Sequence, residues 1–317
     1  MQIKRTTTGR VLSADENSKI VLQAMTHFGD WYAHSKKPNI LFACVSGSHA
    51  YGFATDESDL DIRGIWLAEA DEFFTLNPPT VNNTSATIQK HGSEMDVELQ
   101  ELTKFVHLAL NNNPNILDTL FVPESMILMK GTIYDELRAA MPLILNKHAI
   151  FNAYRGYALQ QFSRMRQQYT EVKEKEQSIA VFTPEEYKDK LTELRTKYNR
   201  NDWDTLLSRN ITIKIPVPIA EAERVLNVKN AAHLLRLLAT GEYVLRTGEM
   251  QIIPPNKDFI IRVRTGDVGW DEIIAERDKL EKAMEKAYAN SKVNDDKEKS
   301  RKWANAFLQK IRRQQLV

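Results

Sequence analysis

The residues best suited to chemistry lie close together, in Val45-Ser46-Gly47-Ser48-His49-Ala50-Tyr51-Gly52 and Ser58-Asp59-Leu60-Asp61-Ile62-Arg63-Gly64. Glycine lets a backbone come close to a ligand. Ser48 offers a hydroxyl and a backbone N–H, and a helix or turn starting there aims further N–H groups outward, the donors a phosphate chain needs. Asp59 and Asp61 stand two apart on an expected strand, so both carboxylates should point to one face. Two hard anionic oxygen ligands on one face suit Mg²⁺, which prefers carboxylate, water and phosphate oxygens. A pair of such ions about 3.5–4 Å apart can activate an attacking hydroxyl and stabilise a leaving oxygen. Taken singly, Asp-x-Asp commonly marks a solvated strand edge and Gly-Ser a turn. Their order, their short gap and the apolar residues before Gly47 and around Asp61 give them weight together.

The elements that must hold these residues can be read from periodicity. Residues 17 to 34 carry apolar positions at helical spacing, with Ile20, Val21, Ala24, Met25, Phe28 and Trp31 on one face. The apolar run from Ile40 to Val45 predicts a buried strand that turns at Ser46-Gly47-Ser48. A second strand is expected over Leu60 to Leu67, after the polar turn Thr55-Asp56-Glu57-Ser58. Residues 76 to 93, rich in Asn, Pro, Thr and Ser, predict a loop or irregular hairpin. A third strand over 94 to 99 leads into a helix over 100 to 111, stopped by Asn111-Asn112-Asn113-Pro114, and a shorter helix over 115 to 121. Beyond residue 125 strand signals fade. Helices are expected over 148 to 170, from the cap Thr183-Pro184-Glu185-Glu186, over 219 to 240 with Gly241 as terminator, and over 270 to 290 and 296 to 314. Residues 250 to 265 predict two short strands. The fold class is α+β: a mixed-sheet domain flanked by helices over 1–125, then a mostly helical domain over 126–317.

The 317 residues are 42% apolar and 27% charged, an ordinary composition for a water-soluble globular chain. The formal net charge of +1 argues neither for nor against nucleic acid, so any basic surface must be local. The single cysteine, Cys44, excludes an intrachain disulfide and reads as a small buried hydrophobe. No Cys/His cluster has zinc-ligand spacing. No apolar core of a signal peptide opens the chain, and no apolar run approaches the ~20 residues that span a bilayer. These features predict a cytosolic protein with no membrane partner; they leave the oligomeric state open.

The Gly47-Ser48 … Asp59-Leu60-Asp61 pattern resembles the signature of the polymerase-β superfamily of nucleotidyltransferases. The fuller string through Gly64 is closest to the RNA-repair-associated branch of bacteria and phages, also described as RNA-ligase-associated. Asp96 to Leu120 and Lys229-Asn230-Ala231-Ala232-His233-Leu234-Leu235-Arg236-Leu237-Leu238 support the same resemblance. The matching strings lie between about residues 40 and 240; residues 167 to 215 and the last ~50 look divergent. The resemblance implies a third carboxylate on a neighbouring strand, for which Asp96 is chosen and Glu98, on the same face, is the alternative. The implied catalytic and metal-binding set is then Asp59, Asp61 and Asp96, with two Mg²⁺ ions as cofactor and Mn²⁺ as a substitute. Lys229, His233 and Arg236 fall on one helical stripe, and the resemblance turns that stripe toward the active site. With Gly47, Ser48 and His49 they form the expected nucleotide-binding set. Tyr51 fits either pocket or core, and Arg63 reads as a structural salt-bridge former.

The implied reaction moves a nucleoside monophosphate from an NTP such as ATP to a hydroxyl and releases pyrophosphate. RNA repair points to an RNA 3′ end, with tRNA included, as acceptor. Two other readings compete: nucleotidylation of a protein or small molecule, and an inactive nucleic-acid-binding module that keeps the fold. The C-terminal cations, Lys297 through Arg313 with Trp303 and Phe307 interleaved, fit an RNA backbone. A charged helix with a narrow apolar seam explains the same residues and is the simpler reading.

Overall fold

A computed structural model describes residues 9–34, 38–79, 87–90, 95–174, 177–182, 213–218 and 227–316. The chain divides into two compact units, Arg5–Arg164 with Asn227–Val317, and Met165–Leu226 with Met1–Lys4. The expected boundary at 125/126 falls inside the first of these. The helix expected from Thr183 lies outside the described residues.

The larger unit is built on a mixed five-stranded sheet. Its strands are β1 (Asn39–Val45), β2 (Asp61–Leu67), β3 (Thr87–Lys90), β4 (Asp96–Glu101) and β5 (Ile127–Lys130), in the order β3-β4-β2-β1-β5. β2 runs parallel to β4; the other neighbours are antiparallel. The expected third strand is β4, and within the segment expected to be a loop or irregular hairpin Thr87–Lys90 forms β3, antiparallel to β4. β5 shows that strand character does not end near 125: Ile127 pairs with Cys44, and Tyr134 just beyond stacks on Phe42 with ring centroids 4.2 Å apart.

Helices cover the sheet. α1 (Ala14–His34) buries Val21, Ala24 and Phe28. Its start is a reciprocal box in which the Glu16 N–H donates to Ser13 Oγ and the Ser13 N–H to Glu16 Oε2. α2 (Gly47–Tyr51) is one short turn after β1, α3 (Leu102–Leu110) follows β4, and α4 (Pro114–Leu120) follows α3. Phe42, Ile62, Ile65, Leu99, Leu102 and Phe105 are buried between these layers. Each such side chain contributes roughly 1.5–3 kcal/mol by leaving water.

The rest of the larger unit is helical: α5 (Thr132–Ala139), α6 (Met141–Ile144), the start of α7 (Lys147–Glu174), α8 (Val228–Thr247), α9 (Lys257–Thr265), α10 (Trp270–Asn290) and α11 (Lys297–Gln315). Two sequence expectations change here. α8 does not stop at Gly241 but runs to Gly248, whose φ of 76° closes it. Gly241 lets other elements come close: a Cβ there would sit 2.9 Å from both Met284 Cε and Tyr154 Cβ. Residues 250–265 hold no strand; Lys257–Thr265 is a helix that buries Ile260, Val263 and Arg264. Its β-branched residues suggested a strand, but the three- and four-residue spacing of the buried positions won. No described helix is long and apolar enough to cross a membrane.

In the smaller unit, β6 (Gln177–Phe182) and β7 (Ile213–Pro218) form an antiparallel ribbon.

Candidate active site

β1 ends by handing the chain to α2, and this junction builds the site. Gly47 has φ 64°, a conformation that costs an L-residue strain. A Cβ on Gly47 would lie 2.6 Å from Asp61 Oδ2, so only glycine lets the turn approach that carboxylate. The Ser46 N–H donates to the Asp61 carbonyl at 2.8 Å, tying the two junctions together. Ser46 provides no side-chain cap, so α2 begins without a hydroxyl across its first N–H groups.

The two aspartates are not both on the strand. β2 begins at Asp61, and Asp59 precedes it in the loop. The turn before it holds itself: Ser58 N–H donates to the Thr55 carbonyl, and Thr55 N–H to Ser58 Oγ at 2.9 Å. Strand alternation therefore does not orient Asp59. Both aspartates still line one narrow cleft of about 80 Å³, with Gly47, Ser48, Lys229 and His233. Phe53, Thr55, Glu57, Ser58 and Arg264 complete its wall. Asp59 is exposed and pairs with Lys229 Nζ at 3.2 Å. Asp61 is half-buried, and its pKa is raised by burial, with Asp59 and Asp96 adding to the shift and Arg63 and Lys229 opposing it.

Asp96 is the register partner of Asp61 across the parallel β2–β4 ladder. The Asp96 N–H donates to the Leu60 carbonyl at 2.9 Å, which anchors β4 beside the Asp59–Asp61 segment. Glu98 sits one step along, opposite Arg63, and forms a close ion pair with it. Glu98 also accepts from Gln100 Nε2 at 2.7 Å. Arg63 reaches back to Asp61 Oδ1 at 3.5 Å and shares its face, two residues along the strand. Its ion pairing is the structural role expected of it.

The expected nucleotide-binding set separates into two groups. Gly47, Ser48, Lys229 and His233 line the cleft; His49 and Arg236 do not. His49 is buried, with Nδ1 hydrogen-bonded to Asn17 Oδ1 at 2.7 Å, while Asn17 Nδ2 donates to the His49 carbonyl. Burial lowers its pKa, so the ring is neutral. Arg236 lies inside the core, 2% exposed, and pairs with the buried Asp118 at 2.6 Å. Its guanidinium also stacks 4.1 Å over the Tyr51 ring, whose hydroxyl donates to the same Asp118 carboxylate. The four- and three-residue spacing put Lys229, His233 and Arg236 on one stripe, but the stripe dips inward along its length. Tyr51 is thus a core residue, and the Asp118–Arg236 pair anchors α2 from below. No sequence signal marked Asp118.

Tyr51 and Phe53 stack with centroids 5.5 Å apart, and His233 sits edge-on against both rings. Burial, then the neighbouring Arg236, Arg264 and Lys229, push its pKa down to about 3. Arg264 was missed because its segment read as a strand. Cys44 is buried, as expected, and burial raises its thiol pKa.

Asp59 and Asp61 offer carboxylate oxygens on one cleft beside Ser48, the donor chemistry a hard cation takes. Among the described residues, no three His, Cys, Asp or Glu side chains converge closely enough to hold an ion by themselves. Asp59 and Asp61 would therefore supply at most a partial shell, leaving the remaining positions to phosphate oxygens and water.

Fold and cleft define a mixed-sheet protein with a Gly-Ser turn facing paired aspartates. The family described as RNA repair pathway DNA polymerase beta matches residues 21–313, and the chain belongs to that family. One curated relative is an uncharacterized 38.9 kDa protein of the nrdC–mobD intergenic region in Enterobacteria phage T4, 30% identical over 128 residues. That match spans 37% of this chain and 36% of the relative, so little more than a third of each is aligned.

Proposed function

We propose that this protein is a cytosolic metal-dependent nucleotidyltransferase that transfers NMP from an NTP to a hydroxyl, releasing pyrophosphate, with an RNA 3′ end, tRNA included, as acceptor. The observation that carries the reading is one cleft holding the Ser48 turn, Asp59, Asp61 and Lys229 together. The family's connection to RNA repair supports the acceptor.

Asp59 and Asp61 would hold the cation, and Asp96, in register beside Asp61 but outside the cleft lining, would complete the set once its side chain turns toward them. Two Mg²⁺ ions, or Mn²⁺ in their place, supply charge neutralisation at the phosphates and lower the acceptor hydroxyl's pKa. Ser48 and the uncapped start of α2 bind phosphate oxygens, and Lys229 offers a mobile positive charge on the same wall. Asp96 receives the acceptor proton. The acceptor oxygen bonds to the α-phosphorus as the bond to the bridging oxygen breaks, and pyrophosphate leaves. Catalysis here rests on positioning and electrostatics more than on covalent participation of the protein.

The test is incubation with each α-³²P-labelled NTP, Mg²⁺ and total RNA, with labelled 3′ ends read by sequencing. RNA labelling that is abolished by the Asp59→Asn, Asp61→Asn double variant, with its fold intact, supports the reading. Label on protein or small molecule moves the acceptor; no label anywhere ends the proposal of enzyme activity.

A further inference from the structure

Arg264 and Arg236 are both buried guanidinium groups, but their surroundings differ. Arg236 has a carboxylate counter-ion 2.6 Å away. Arg264, on the last turn of α9, is only 6% exposed and makes no ion pair among the described residues. Its Nη2 donates only to neutral hydroxyls, Thr55 Oγ1 at 3.3 Å and Ser58 Oγ at 3.5 Å. Its Nε–H is buried with no acceptor. An uncompensated buried charge is costly, and such groups are kept in proteins where something else neutralises them. Arg264 lines the cleft shared by Ser48, Asp61 and Lys229. Its guanidinium thus forms part of the wall of the candidate cleft. Glu57, Asp59 and Asp61 also line that cleft; the exposed Glu57 acts on Arg264 from a distance without forming an ion pair, and Asp59 is already paired with Lys229.

We propose that Arg264 binds the phosphate tail of the nucleotide, acting with Lys229 as the counter-ion of the leaving pyrophosphate. This rests on the nucleotidyltransferase reading for the identity of the anion, and on geometry alone for the presence of an anion site. A planar guanidinium takes two oxygens of one phosphate, which a lysine cannot do. Burial beside Thr55 and Ser58 holds the group in place before ligand arrives, and that burial lowers its pKa against the opposing pull of Glu57.

The experiment uses the full chain and inorganic tripolyphosphate, with and without Mg²⁺, measured by calorimetry and thermal shift, beside Arg264→Met and Arg264→Lys. Wild-type protein is expected to bind, Arg264→Met to lose affinity by 10- to 100-fold, and Arg264→Lys to recover only part of it. Arg264→Met should also raise the Tm of the ligand-free protein, because it removes an unpaired buried charge; a merely structural arginine would lower it. In NTP transfer assays KM should rise by a similar factor with a smaller change in kcat. Unchanged tripolyphosphate binding in both variants, or no binding by wild type at millimolar concentration, overturns the proposal. If wild type binds tripolyphosphate through Arg264 but transfers no nucleotide, the enzyme reading falls and the anion site stands. If it transfers nucleotide with an unaltered KM in Arg264→Met, the reverse holds.

Discussion

At Gly47 a single hydrogen atom in place of a side chain decides whether the Gly47-Ser48 turn can lie against Asp61 without strain. Gly47→Ala should cost about 1–3 kcal/mol through its positive φ alone, and the new methyl would press on Asp61 Oδ2. The expected outcome is a lower Tm and a loss of nucleotide transfer by at least about tenfold; a variant with wild-type turnover would show that the turn does not position the carboxylate. His233 makes a second prediction at this scale. Its folded pKa is depressed to about 3 from an ordinary 6.5. The unfolded chain therefore binds the extra proton between those values, and stability falls as pH drops through that window. Urea melts from pH 7 to pH 4 should show a loss on the order of a few kcal/mol attributable to this ring. His233→Gln should flatten that slope while leaving the neutral-pH packing against Tyr51 and Phe53 largely in place.

The short helix α2 carries the site but is too small to orient itself. It is gripped by other elements: His49 by Asn17 of α1, and Tyr51 by Asp118 of α4 and Arg236 of α8. Breaking a buried ion pair from one side leaves its partner charged in the core, which costs about 3–5 kcal/mol. Arg236→Met should therefore be among the most destabilising single changes in the chain. The double variant Asp118→Leu, Arg236→Met should regain much of that loss, because no orphan charge remains. A denaturant series on the two singles and the double gives the coupling directly. If the double is no better than either single, the pair matters through shape and not through charge. At the opposite end of the sheet, α11 is tied down in the same manner. Arg312 pairs with the buried Glu101 and donates to the Ala68 carbonyl, and Lys310 pairs with Glu136. Phe307 is buried with Trp303 stacked on it. Lys310, Arg312, Trp303 and Phe307 are thereby engaged in packing, while Lys297, Lys299, Arg301, Lys302 and Arg313 are exposed.

Across the larger unit, the site is completed by chain that lies far away in sequence. Lys229 meets Asp59 across 170 residues, and Arg264 reaches Thr55 across 209. β5 and Tyr134 close the open edge and one face of β1. A fragment ending at residue 125 would expose the β1 edge and strip the cleft of Lys229, His233 and Arg264. It should fail to show a cooperative melt and should exchange its β1 amides rapidly, whereas the full chain protects them. A cooperative 1–125 fragment would instead establish the N-terminal portion as an independent domain.

The local chemistry was legible in the residues themselves. Gly47-Ser48, Asp59 and Asp61 stand out by type and spacing. α1 and α3 stand out because their apolar positions repeat near 3.6 residues, a period set by backbone geometry, and β1 because its apolar residues run unbroken to the turn. What the sequence could not determine is which charges meet. Arg236 and Lys229 share a helical stripe, yet one reaches the interior and the other the cleft, because the depth of a stripe depends on what packs against it. Gly241 looked like a helix stop, but a glycine needed for close approach carries the same letter. Arg264 hid in a β-branched run whose helical state is decided by the burial of Ile260 and Val263 against the rest of the unit. Periodicity is a property of neighbours along the chain, while counter-ions, close approaches and burial are properties of neighbours in space.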